Sequence, residues 1–200
     1  DSLAESINLM ADRRQTAEEE VQDYTARIES RATIESRLAQ LNNSLQGDLA
    51  THEVAAKGLS AIIGFLDAPA GALFVSRPDG QIHRLATHAY PHIPGLPASY
   101  ALGSGLVGQV ALSGKAESSR PGREAIQAVL GPLDPSPEEI LIHPLVANEE
   151  VMGVVELSLA SSLSEDQALW LDQASDSVAT ALRFAQENEE RKEAEERNRL

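Results

Sequence analysis

From Asp1 to about Gln46 the chain has neither glycine nor proline and is dense in Ala, Glu, Arg, Gln and Leu. That is the composition of one long helix. Leu3, Ile7, Met10, Ala17, Val21, Tyr24 and Ile28 recur at steps of three and four, with Arg14 at the polar position between Met10 and Ala17. Such a stripe is a coiled-coil seam, and it predicts pairing with another helix. Apolar positions resume at Ile34, Leu38, Leu41 and Leu45, out of phase with the first set, so the seam shifts near Arg31 to Thr33. A helix of ~45 residues would span nearly 70 Å, too long to pack wholly on its own small domain.

Gly47 interrupts this helix, and Asp48 is the expected N-cap of a second one running to about Leu66. Leu49, Val54, Ala56, Leu59, Ile62, Ile63 and Leu66 form its core face. The period then changes from helix to strand. Gly71 to Ser76 and Gln81 to Tyr90 are predicted strands joined by the turn Arg77-Pro78-Asp79-Gly80. Strict alternation along the second puts Ile82, Arg84, Ala86, His88 and Tyr90 on one face and His83, Leu85, Thr87 and Ala89 on the other. Pro91, Pro94 and Pro97 impose an irregular loop before a short strand near Tyr100 to Leu102.

The stretch Leu102 to Gly114 organises the rest. Gly103 and Gly105 open a short apolar helix with Leu106, Val107, Val110 and Ala111 on its packing face, and Gly114 closes it. The Gly-x-x-x-x-Gly-Lys-Ser/Thr pattern of a phosphate loop is missing, and no lysine follows within the turn. Gly108 stands inside the helix, where glycine costs about 1 kcal/mol relative to alanine. Its expected purpose is close approach of the backbone to a sheet or a ligand. Lys115 to Ser119 is a brief strand, and Pro121 to Pro137 a long loop around a short helix at Ala125 to Leu130. Ile140 to Val146 and Val151 to Leu159 make a second hairpin about the turn Ala147-Asn148-Glu149-Glu150. Ser164 and Gln167 form a capping box at the start of the last helix. In that helix Leu171, Ala174, Val178, Ala181 and Ala185 continue as a seam, which weakens at Asn188, Lys192 and Glu195.

Composition then removes several functions. Hydrophobic residues make up 42% of the chain, enough for one substantial core. The formal net charge of -15 is unconcentrated in any basic face, which argues against nucleic acid as a partner. With no cysteine there are no disulfides, thiolate metal sites, thiol nucleophiles or thioether-linked chromophores. No apolar run approaches ~18 residues, and the chain starts without methionine, as an excised fragment would.

Two family resemblances follow from the residues. Leu3 to Arg13, LAESINLMADR, resembles the end of a HAMP linker in its Asn8, Met10 and Ala11. It implies a parent receptor anchored in the inner membrane, with this portion in the cytoplasm. GSGLVGQVALSGKA, IHPLVANEEVMGVVELS and SLSEDQALWLDQASDSVATAL resemble the central helix, last hairpin and closing helix of GAF domains over about Leu49 to Phe184. The closest flavour is the GAF module of bacterial sensor histidine kinases, of whose loop pattern Val129-Leu130-Gly131 is a partial copy. The implied fold is α+β, an antiparallel sheet of five or six strands with helices on one face and a pocket on the other, flanked by long coiled-coil helices. The organisation expected is a HAMP end and signalling helix over 1–46, the GAF domain over 47–184, and the start of an output linker over 185–200.

The resemblance implies a sensory or regulatory module rather than an enzyme, acting as a homodimer through its terminal helices, most readily upstream of a histidine kinase. A ligand-free dimerisation spacer of a diguanylate cyclase or chemoreceptor is the alternative. SLASSLSEDQ lacks the cyclic-nucleotide signature of the family, and bilin attachment needs a cysteine. His88, His92 and His143 are the histidines considered for haem, and His88 with His92 for a metal; a strand histidine is more often structural. The ligand, if one exists, stays unnamed. Its expected neighbours are Tyr90, Tyr100, Val107, Arg120, Arg123 and His143, with the two arginines placed to clamp a carboxylate or phosphate.

Overall fold

The computed structural model describes residues 2–89, 97–120 and 137–199, with side chains from residue 13 onward except at residue 23. The chain divides into two compact units, 1–37 and 38–200. In the first, helix α1 (Ser2–Ser44) is uninterrupted, and i,i+4 ion pairs Arg14–Glu18 and Arg31–Glu35 line its surface. Val21, Tyr24 and Ile28 of the predicted seam are all more than half exposed. The side chains of Leu3, Ile7, Met10 and the HAMP-like Asn8 and Ala11 lie outside the described residues.

The second unit holds the last turns of α1, then α2 (Thr51–Leu66), strands β1 (Ala70–Ser76), β2 (Gln81–His88) and β3 (Ser99–Ala101), α3 (Gly105–Ser113), strands β4 (Glu117–Ser119), β5 (Glu139–Ala147) and β6 (Glu150–Leu159), and α4 (Glu165–Arg199). The strands form a six-stranded antiparallel sheet in the order β3-β2-β1-β6-β5-β4. The two predicted hairpins are thus joined by pairing of β1 with β6 at the centre. The turn residues behave as their chemistry requires: Gly80 has φ 76°, and Asn148 and Glu149 have φ 52° and 66°, left-handed values suited to a tight hairpin.

Helices cover both faces. On one, α2 packs on the sheet and on α4, where Gly58 meets Val178 so closely that a methyl group would lie 2.9 Å from its Cγ atoms. Phe65 stacks on the buried Trp170 at 4.1 Å between ring centres. On the other face lies α3. The Ser164–Gln167 capping box opens α4 as predicted, with Ser164 N–H donating to Gln167 Oε1 at 3.0 Å and Gln167 N–H to Ser164 Oγ at 3.2 Å.

Three expectations need correction. Asp48 does not cap α2; the N-cap is Ala50, and Asp48 instead accepts from Lys192 Nζ at 2.7 Å. The strict alternation along β2 fails because Phe74 lies opposite Arg84 while Leu73 lies opposite Ala86, leaving Leu85 as an extra bulged residue. One inserted residue exchanges the two faces, so Ala86 and His88 leave the face that Ile82 and Arg84 occupy. Finally, Leu171, Ala174, Val178 and Ala185 of the predicted α4 seam are buried by their own domain.

Candidate ligand site

The face under α3 starts from glycine geometry. Gly103 and Gly105 take φ 82° and 63°, which turns the chain from β3 straight into α3. Gly108 faces the end of β3: a Cβ there would overlap the carbonyl oxygen of Ala101, and its own carbonyl accepts from Gly103 N–H at 2.7 Å. Of the two purposes expected for this glycine, approach to the sheet is the one realised. Gly114 ends the helix in the left-handed region, its N–H bonded to the Val110 carbonyl.

Held this way, α3 lowers Val107, Val110 and Ala111 onto Ala72, Phe74, Ile82, Ile142 and Val154, all buried, with Tyr100, Ile140 and Val151 at the margin. Tyr100 meets Phe74 edge to face at 5.7 Å. This part of the interlayer is apolar and filled.

Polar groups lie beside it. Directly opposed residues of an antiparallel pair share a face. Glu156 of β6 lies opposite both Ala72 and Ile142, so it points to the α3 side. By the same rule Thr87 opposite Ala72, Arg84 opposite Phe74, and Ser158 opposite Ala70 and Ile140 share that side. Arg84 and Glu156 are half-buried and Ser158 is buried. Tyr100 shares their field. Burial first and the Glu156 charge second push its phenol above the usual tyrosine range, and Arg84 partly offsets them. An acid, a guanidinium, a phenol and two hydroxyl residues therefore share the α3 side of the sheet with Ala70 and Ala72.

Of the residues predicted to meet a ligand, Tyr100 and Val107 do lie together on this face. Tyr90 and Arg123 lie outside the described residues, as do Ile126, His92 and the helix expected at Ala125 to Leu130. His143 is on the wrong face. It sits opposite Val155 and reaches α4, with Nε2 3.0 Å from Asp172 Oδ1 and Nδ1 3.2 Å from Ser175 Oγ and 3.0 Å from the Pro144 carbonyl. Its neighbour Ile142 belongs to the α3 cluster, and adjacent strand residues cannot share a face. Arg120, past the end of β4, donates from Nη2 to Ser162 Oγ at 3.0 Å, and Ser162 donates to Glu139. It ties the sheet's edge to the loop before α4. Glu156 escaped the sequence reading although it carried a signal, being the lone charge inside the apolar run Val151 to Leu159.

Among the described residues no cluster of His, Cys, Asp and Glu is arranged to hold a metal ion, and no helix is long and apolar enough to cross a membrane. No curated protein matches the sequence. Solved structures similar to it include the GAF domain of a phosphoenolpyruvate-protein phosphotransferase from Coxiella burnetii, at TM-score 0.61 and 16% identity over 78% of this chain and 95% of that one. The GAF domain assigned to a sensor histidine kinase of Pseudomonas syringae pv. tomato is similar at TM-score 0.58 and 18% identity, over 82% and 94% of the two chains. Free methionine-R-sulfoxide reductase from Neisseria meningitidis, solved in complex with its substrate, is similar at TM-score 0.57 and 12% identity, over 78% and 92%. The GAF domain model itself matches residues 48–183, and the chain belongs to that family.

Proposed function

We propose that this chain is a cytoplasmic sensory module of a membrane-anchored receptor, binding a small polar molecule on the α3 side of its sheet and passing the signal through paired terminal helices to a histidine kinase. GAF domains are sensory and regulatory modules, and the HAMP-like ending at Leu3 to Arg13 favours the receptor setting. The observation that carries the ligand reading is Glu156. It sets a carboxylate with Arg84, Tyr100 and Ser158 on the α3 side of a central strand, a grouping of polar side chains on an otherwise apolar face. With Arg84 on the same face, the site suits a ligand that offers a donor or cation to Glu156 and an acceptor to Arg84. The reading is supported by the similar Neisseria reductase, which was solved in complex with its substrate.

The homodimer belongs to this proposal, at the part of the predicted seams that the domain leaves partly open, Leu45 and Ala181. Leu169 and Phe184 are exposed on α4. Beside Phe184 an open groove of about 380 Å³ is lined by Leu45, Ala181, Thr180 and Asn42. A partner helix fits there, in continuation of α1.

A thermal-shift screen of the chain against metabolites tests the ligand reading, because a binder raises the melting temperature by mass action. We expect a hit whose shift is lost in Glu156→Gln. A second reading, the ligand-free spacer, is favoured by the filled cluster of Tyr100, Phe74 and Val107 under α3. A screen without hits, together with unchanged stability in Glu156→Gln, establishes the spacer instead.

A further inference from the structure

The start of α2 lacks a cap of its own. Ala50, the N-cap residue, has no side-chain oxygen, and Glu53 only returns a bond to the Ala50 N–H at 2.9 Å. Thr51, the first helical residue, is buried, and its N–H would be an orphan donor shielded from water. It is satisfied from the far end of the chain: Glu189 Oε1 of α4 accepts it at 2.7 Å across 138 residues of sequence. A carboxylate at this position also suits the positive end of the helix dipole. The second oxygen of Glu189 faces Arg77 Nη1 at 3.9 Å, in the turn between β1 and β2.

Neighbouring contacts repeat the pattern. Gln186, one turn earlier on α4, donates to the carbonyl of Ser76 at 2.8 Å. Lys192, three residues later, pairs with Asp48 in the linker before α2. Lys57 of α2 donates to the carbonyl of Ser44, which lies in the last turn of α1. Two helix ends in this region are therefore closed by a charged residue of a different helix, with the charge sign each end favours. Beyond Ala185 the closing helix has lost its apolar face, so these polar contacts are what hold residues 186–192 on the domain.

We propose that Glu189 is the N-terminal cap of α2, supplied by α4, so that seating of the closing helix and ordering of the first turn of α2 form one coupled transition. In the signalling role proposed above, on which this last step rests, the last turn of α1 is thereby connected to α4 through Lys57, α2 and Glu189. This route does not pass through the α3 face.

Amide hydrogen exchange on the full chain tests the coupling without any ligand. Glu189→Ala should speed exchange about tenfold, the loss of one charge-assisted bond, both at Glu53 and Val54, whose amides bond the Ala50 carbonyl, and across residues 186–199. Exchange at Phe74 and Val154 in the core should stay unchanged. Thr51→Pro removes the same bond from the other side, since proline lacks the N–H yet is favoured at the first helical position. It should speed exchange across 186–199 to the same extent, and the double variant should be no faster than either single one. Restoring a local cap with Ala50→Asp in the Glu189→Ala background should recover Glu53 and Val54 but leave 186–199 fast. The proposal is overturned if Glu189→Ala leaves Glu53 and Val54 protected, if Thr51→Pro leaves 186–199 protected, or if the core speeds equally. Coupling present in a chain whose signalling output ignores both variants would refute the route while leaving the cap intact.

Discussion

Gly108 and Ala101 approach so closely that the α-carbon hydrogen of one occupies the space beside the carbonyl oxygen of the other, and no side chain at Gly108 fits without moving β3 or α3. Gly108→Ala gains helix propensity of about 1 kcal/mol but must displace backbone, and overpacking of this kind costs about 1–3 kcal/mol or more. The expected net effect is destabilisation. Gly64 of α2 is the control, because a Cβ there meets nothing within 4 Å. Gly64→Ala should stabilise by about 0.5–1 kcal/mol. Chemical denaturation of the two variants reads both signs; equal effects would show that the contact at Ala101 is slack.

The polar face beside α3 can be read through Tyr100. Its phenol is raised by burial and by Glu156 and lowered by Arg84. Removing the acid should therefore lower its ionisation midpoint, and removing the guanidinium should raise it further. Ultraviolet titration isolates this residue as the difference between each chain and the same chain carrying Tyr100→Phe. Glu156→Gln moving the midpoint upward, or Arg84→Gln moving it downward, would contradict the arrangement described.

Local chemistry made much of the fold legible in the sequence. Gly103, Gly105 and Gly114 mark the ends of α3, Gly80 and Asn148 the hairpin turns, and Ser164 with Gln167 the start of α4. Each is a signal between residues a few positions apart. What escaped depends on distant partners or on a shift in count. The bulge at Leu85 reverses the faces of β2 with no glycine to announce it, and the cap on Thr51 arrives from Glu189. The site residues divide the same way. Val107 and Tyr100 follow from helix and strand period, whereas His143 could have been withdrawn from the α3 face once Ile142 was assigned to it. The seam of α4 misled for another reason: a stripe every three or four residues identifies a buried face but not whether a partner chain or the domain itself buries it.

His143 therefore has a structural role to test. Its ring joins β5 to α4 through Ser175, whose side chain is buried, and through the exposed Asp172. His143→Ala leaves Ser175 Oγ without this partner and opens a gap, which should cost about 1–3 kcal/mol. Binding of any ligand found by the thermal-shift screen should keep its affinity after correction for stability. A selective loss of affinity with stability retained would return His143 to the ligand site.

The partner face is tested at Phe184, which is 54% exposed on α4 with the Arg183 guanidinium 5.0 Å from its ring centre. If a second copy covers the groove beside it, Phe184→Glu buries an unpaired charge in the interface. Light scattering should find the unaltered chain dimeric at high micromolar concentration and the variant at least about tenfold weaker in association. A monomeric unaltered chain, or a variant that dimerises equally well, removes this face from the proposal.

The pairing of Asp48 with Lys192 makes the end of α4 sensitive to acid in a direction that can be worked out. The hydrogen bond from Lys192 and then its charge hold the Asp48 carboxyl below its ordinary value of 3.8. A group whose folded pKa is depressed contributes stability that is fully present above its unfolded value and disappears as pH falls through the folded one. Between neutral pH and about 4 the contact should thus be intact, and below that range protonation of Asp48 should release Lys192. The pair is exposed, so the whole domain should not unfold with it, and salt should weaken it in the same region of the chain. Carboxyl chemical shifts followed by NMR give the midpoint of Asp48 directly. It should lie below 3.8 in the unaltered chain and return toward that value in Lys192→Met. Asp79 serves as the internal reference, since its own depression comes first from the Gln81 N–H and then from His83, neither of which belongs to α4. If Lys192→Met leaves the Asp48 midpoint where it was, the contact does not persist in solution, and Gln186 and Glu189 alone hold the helix end.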